Sequence, residues 1–227
     1  MNDSGQDSIE KALTEIGALQ AEAFPALRRF AQSRTQAPME RCELCGTALD
    51  EAHQHLLDRK SRQIACSCDA CAIVFCGQQG GRFLRIPRRI RRVEARTFTD
   101  LEWEAMALPI NLAFFLREAD GRMAAMYPSP AGAIESSIDL NSLPEGHAIK
   151  ARLQILEPEV EALIVNRIGD EHLSYVVPLD ECYRLVGIVK TRWRGLSGGA
   201  DVWAGIEDFF QQLNARAVEV SPQVQHA

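Results

Sequence analysis

The chain has no apolar run approaching the ~20 residues that a membrane-spanning helix needs. It has no basic excess either. Its 25 Lys and Arg stand against 31 Asp and Glu, a net charge of -6, and the pI is about 5.5. That balance excludes a general binder of nucleic acid or of acidic membranes. No repeat of fixed period is present. The opening MNDSGQDSIE is polar and acidic and lacks the apolar stretch of a signal peptide. A cytoplasmic chain is therefore expected, and thiols stay reduced there. What remains is ordinary: 46% hydrophobic and 25% charged residues over 227 positions, enough for one large domain or a core domain with a small satellite.

Against that background the cysteines stand out. Six of the seven fall between Cys42 and Cys76. They read Cys42-Glu-Leu-Cys45-Gly46, then, past His53 and His55, Cys66-Ser-Cys68-Asp-Ala-Cys71 and Cys76. A CxxC turn places two sulfurs on one small loop, both able to reach an ion at ~2.3 Å. Gly46 suits the tight knuckle after Cys45. Cys42, Cys45, Cys68 and Cys71 are the expected ligands, and four thiolates make the closed tetrahedral set of a structural Zn2+ site. The order of parts is that of a zinc ribbon or treble clef, with a hairpin over 47–65 and a short strand or helix start over 68–75. Rubredoxin-like iron uses the same two CxxC pairs, so iron stays open.

Cys66 and Cys76 are left over. They read as packing residues, or as one substitute in the coordination; a redox role or a larger iron–sulfur site is the alternative. His53 and His55 read as exposed or as supporting residues in the hairpin. CxxC, a histidine pair, then CxxC is also the layout of HNH-type nucleases, but those need an asparagine after the second pair and a late histidine. Ala72-Ile-Val-Phe75 follows Cys71 instead.

The rest of the chain predicts an α+β fold, with an antiparallel-sheet domain closed by two C-terminal helices. Residues 1–38 are assigned to an N-terminal helix, with Ile9, Leu13, Ile16, Leu19, Ala23, Leu27 and Phe30 at helical spacing and Pro25 as a kink. Residues 39–81 form the metal module, 82–215 the α+β domain and 216–227 a disordered tail. Thr99 or Asp100 caps a short helix that Pro109 stops. Two hairpins are signalled: 110–116 with 123–127 around Asp120-Gly121, and 160–168 with 173–177 around Gly169-Asp170. A short helix fits 145–155. Asp180 is expected to cap the first closing helix, and Gly198-Gly199 to open the second.

Other candidate sites are weaker. Arg82, Arg85, Arg88, Arg89, Arg91, Arg92 and Arg96 lack the interleaved aromatics of a single-strand groove, apart from Phe83. They read as a solvated face or a docking surface for an acidic protein. Cys182 shares a helical face with Leu185, Val186 and Val189 and reads as buried. Trp193-Arg-Gly-Leu-Ser197-Gly-Gly199 has the look of an anion cradle without the Walker lysine; a tight helix connection explains it. The turn-rich stretch 127–136 holds Glu135 and Ser136 with no nearby histidine, and His147 and His172 sit in no triad order.

Taken together, CELCG, HLLD, CSCDACAIVF, LPINLAFF, YPSPAGAIES, PEVEALIV, VPLDECYRLVGIVKTRWRGLSGG and DFF resemble a bacterial family of no assigned activity. Its genes lie with those of uptake nickel–iron hydrogenases of the high-affinity, actinobacterial type. The resemblance spans about residues 40–215. It implies a cytoplasmic accessory role in hydrogenase assembly or maturation, with a hydrogenase subunit or maturation factor as partner. An iron redox protein, or an enzyme using the 127–136 and 193–199 loops, are the alternative functions.

Overall fold

The computed structural model describes residues 40–76, 80–93, 98–143, 148–169 and 172–219. The expected N-terminal helix, Arg96, His147 and most of the expected tail lie outside them. The fold is α+β and is built on two sheets.

The small sheet comes first. β1 (Gln54–Asp58) and β2 (Gln63–Ser67) form an antiparallel hairpin in which His55 faces Cys66 and Leu57 faces Ile64. α1 (Asp69–Cys76) follows. β3 (Phe83–Arg85) then pairs with β1, giving the order β2-β1-β3. The module's sheet thus runs to Arg85, past the expected boundary at 81. β1 is central and buried on both sides. Leu56 and Leu57 point to opposite faces, as successive strand residues must, and both are essentially inaccessible.

The large sheet has the order β10-β4-β9-β8-β5-β6-β7. Its members are β4 (Arg91–Val93), β5 (Leu112–Arg117), β6 (Met123–Ser129), β7 (Gly132–Glu135), β8 (Glu161–Asn166), β9 (Leu173–Pro178) and β10 (Val218–Glu219). All neighbours are antiparallel except β10 on β4. The two expected hairpins are β5–β6 and β8–β9. Both faces of this sheet are covered, which is why β5, β8 and β9 read as nearly continuous apolar runs. On one face Phe114, Ile164 and Tyr175 pack under α4 (Leu179–Arg192) and α5 (Ala200–Arg216), against Leu185, Phe209 and Leu213. On the other, Phe115, Leu163 and Val176 pack against Trp103 of α2 (Asp100–Ala105), Leu140 and Leu153 of α3 (Ala148–Leu153). Thr99 caps α2 through a full capping box with Glu102.

Three expectations change. The 127–136 stretch is not an open loop: β6 continues to Ser129 and turns into β7 at the sheet edge. Pro128 is tolerated because it lies beyond Met126, where pairing with β5 ends, so no ladder bond is lost. Asp180 does not cap α4. That helix starts at Leu179 behind Pro178, and the Asp180 carboxylate is turned toward His55 at 2.6 Å. The arginine run is exposed at Arg82, Arg85, Arg88 and Arg89, yet four of its members are also engaged within the chain. Arg89 and Arg91 both bind Glu161, a carboxylate with no solvent exposure; Arg82 grips Asp58; and Arg88 donates to the carbonyls of Ala52 and His53. These side chains fasten the segment after α1 to its surroundings, because a buried carboxylate is tolerated only when paired and hydrogen-bonded.

The two sheets are joined by an apolar seam of Leu57, Ile86, Val160 and Leu179, with Ile64, Leu84 and Leu116 at its margin. Arg59 and Arg62, in the β1–β2 turn, reach Glu159, and Arg62 also reaches Glu118. Arg62 and Glu159 both adopt left-handed backbone (φ 59° and 67°), a cost of about 1–2 kcal/mol each that such packing and pairing must offset.

Acid provides a test of the module's internal pairing. The Arg82 guanidinium, with the Lys60 amide and Ser61 hydroxyl, holds the buried Asp58 carboxyl well below its ordinary 3.8. A depressed carboxylate contributes stability that is fully present above its unfolded value and fades as pH falls toward the folded one. Unfolding of the module should therefore become easier from about pH 5 downward. Asp58→Asn should flatten that dependence while lowering stability at neutral pH, as read by denaturant titration across pH.

Candidate metal centre

The knuckle carrying the first pair is built from backbone. Gly46 N–H donates to the Cys42 carbonyl at 2.7 Å and Cys42 N–H to the Thr47 carbonyl at 2.8 Å, closing the loop. Gly46 takes φ +76°, which an L side chain would strain. The second pair is set at the junction of β2 and α1: Cys68 precedes the helix and Cys71 lies in its first turn. The Glu43 amide donates to the Cys66 carbonyl and the Cys66 amide to the Glu43 carboxylate, which holds the knuckle against β2.

The structure brings the four expected sulfurs together. Cys42, Cys45, Cys68 and Cys71 lie with all their Sγ atoms within 4.8 Å of one another. Cys45 and Cys68 are 3.8 Å apart. Four sulfurs ~2.3 Å from a central ion would be separated by about 3.8 Å along each tetrahedral edge. The set can hold a metal ion with all positions filled by protein. The backbone supplies an anion-friendly shell: the Cys71 amide points at the Cys68 sulfur at 3.5 Å.

The electrostatics match. Burial pushes the Cys42 thiol up, but amides of Cys68, Leu44 and Cys45, with the Cys45 thiol, outweigh it and bring Cys42 from 9.0 down to about 6. Cys71 goes the other way, to about 12, through burial and its neighbours Cys45, Cys68 and Cys42. Like charges cannot accumulate in so small a volume. A cation removes the conflict by taking all four as thiolates, so binding must release protons.

The set-aside residues separate. Cys76 closes α1, partly exposed. Cys182 is fully buried, and burial lifts its thiol well above 9.0, in line with a packing role. Cys66 instead faces His53 and His55, the three ligand atoms again within 4.8 Å. The two histidines are partly buried rather than free at the surface. The 193–199 segment is a tight connection: Arg194 bridges Gly198, and the Trp193 and Trp203 indoles donate to the Gly195 and Ser197 carbonyls. Glu135 is paired with Arg122. A groove of about 950 Å³, with Arg92, His172, Tyr175, Trp203 and Asn214 in its lining, joins residues too distant in sequence for any local signal to connect.

Residues 41–217 match the profile of a family of unknown function, DUF5947. The chain belongs to that family. No curated protein and no solved structure matches it. Among the described residues no helix is long and apolar enough to cross a membrane.

Removing a ligand tests the set. Cys42→Ala or Cys68→Ala should abolish metal at the four-sulfur site and unfold the module, since thiolate–metal binding in such units is worth on the order of 10 kcal/mol. Cys76→Ala should leave metal content and melting nearly unchanged. Elemental analysis and limited proteolysis read both.

Proposed function

We propose that the chain is a zinc-stabilised accessory protein that works through protein–protein contact. The proposed partner is a nickel–iron hydrogenase subunit or a factor that matures it. The closed four-sulfur set carries the first half: a site with every position taken by thiolate shapes a module and leaves no place for a substrate. Zinc is the reading for a closed set of four thiolates that fills every position of a tetrahedral ion. α1 supports the second half. Beyond Cys71 it presents Ile73, Val74 and Phe75, of which Ile73 and Val74 are about two-thirds exposed. A contiguous apolar exposure beside a rigid metal knuckle fits a contact surface. The choice of hydrogenase rests on the sequence resemblance alone.

Iron in the same four thiolates is the second reading, favoured by the same geometry. Natively purified protein separates the two. Zinc gives a colourless protein; iron gives visible thiolate-to-iron absorption.

The partner is tested in cells expressing the hydrogenase genes. The chain should co-purify with a hydrogenase subunit or maturation factor, and Val74→Glu should lose most of that association while keeping its metal. Glu135→Ala and Ser197→Ala should leave hydrogenase maturation intact. Normal maturation in a deletion strain, with no co-purification, overturns the proposal.

A further inference from the structure

Three donors gather on one face of the small sheet. His55 lies in β1 with Cys66 as its cross-strand partner, and His53, one residue before the strand, sets its ring beside that of His55. That side faces the large domain, as Leu57 and Ile64 in the apolar seam show. The three ligand atoms lie within 4.8 Å of one another.

The outer contacts fix how the rings are aimed. His53 Nδ1 is 2.9 Å from the Asp50 carbonyl, with Glu40 Oε2 at 3.5 Å. His55 Nδ1 is 2.6 Å from Asp180 Oδ2. Both oxygens are acceptors, so each ring carries a proton on Nδ1 and turns its Nε2 inward. The two Nε2 atoms face each other at 3.2 Å. Two lone pairs at that distance repel unless a metal cation lies against both or a proton lies between them. Nitrogens ~2.0–2.1 Å from one tetrahedral ion sit about 3.3 Å apart. A carboxylate or carbonyl behind each ligating imidazole is the usual support of a metal-bound histidine. Glu40 and Glu43 add negative charge nearby, Glu43 through the Cys66 amide. Arg88 is spent on the Ala52 and His53 carbonyls.

We propose that His53, His55 and Cys66 form a second metal site, separate from the four-sulfur set, for a divalent ion of the zinc class. Two imidazoles and one thiolate suit borderline ions and disfavour magnesium and calcium, which take oxygen ligands. Three protein ligands leave the fourth position to water or another exchangeable ligand. The His55 side chain is about one-third exposed, so that position is reachable from solvent. Asp180 is a positioning residue. It belongs to α4, so the ion would sit where the module meets the large domain. The competing account is a single proton held between the two rings, and it gives Cys66 no part.

Titration of the chelator-treated full chain with Zn2+, and with Co2+ as a spectroscopic probe, decides between them. Two equivalents are expected for the unmodified protein. His55→Ala and Cys66→Ser should each bind one, with the four-thiolate Co2+ bands and the melting of the module retained. Asp180→Asn should keep both ions but weaken the second by about 10–100-fold. Should a ligand variant fail to fold, Asp180→Asn and the Co2+ spectrum of the unmodified protein still decide. One equivalent throughout, with only four-thiolate bands and no effect of Asp180→Asn, overturns the proposal. So does a second equivalent that all three variants bind unchanged. If Cys42→Ala keeps full metal content, the four-sulfur reading fails instead, which is a separate result.

Discussion

β1 is the strand on which the remaining arrangement depends. It is five residues long, it is central in the small sheet, and neither of its faces is free. Gln54, Leu56 and Asp58 look toward α1 and the arginine at the end of that loop; Gln54 is bonded to Asp69 at 2.7 Å and Asp58 to Arg82. His55 and Leu57 look toward the large domain. A slip of one residue would put Leu56 on the seam and a charged Asp58 where Leu57 belongs. The buried pattern on both sides forbids that slip. The same register that packs the seam also sets His55 opposite Cys66, so packing and metal-ligand geometry are specified by one constraint.

The large sheet obeys a simpler rule. Its central strands are covered on both faces, so their sequences are almost uniformly apolar, and charge appears where strands end. Glu161 is the exception at the start of β8, and its two arginines come from a segment far earlier in the chain. Such pairs add little as exposed contacts. Around an inaccessible carboxylate they decide which segments may lie side by side, since any arrangement lacking them leaves a buried charge unpaired.

What could be read from the sequence follows from the range over which each feature is written. Turns and caps are local: Asp120-Gly121, Thr99 before Asp100, and the CxxC spacing each name their structure within a few residues. The two hairpins and the four-sulfur set were therefore legible. Apolar runs gave the strands but not their neighbours. The placement of β4 and β10 at one edge, the pairing of Arg89 and Arg91 with Glu161, and the contact of Asp180 with His55 all join residues that no local pattern connects. The 127–136 stretch misled because proline and glycine are common to loops and to edge strands that have run past their partner. The histidine pair was visible as residues and invisible as a site, since its third member is found only once the hairpin register is known.

One further property follows from the length of α1. Eight residues are too few for a helix to persist alone in water. This one is anchored at its start by Cys68 and Cys71 and carries Ile73, Val74 and Phe75 on its outer side. The apolar surface and the sulfur cluster are consecutive parts of one short segment. An ion in the cluster would fix the start of the helix, in addition to the hold that buried Ala72 and the Gln54–Asp69 bond give it. A protein docking on this helix would touch a surface whose first turn is tied to the sulfur cluster, so its grip would depend in part on what the cluster holds.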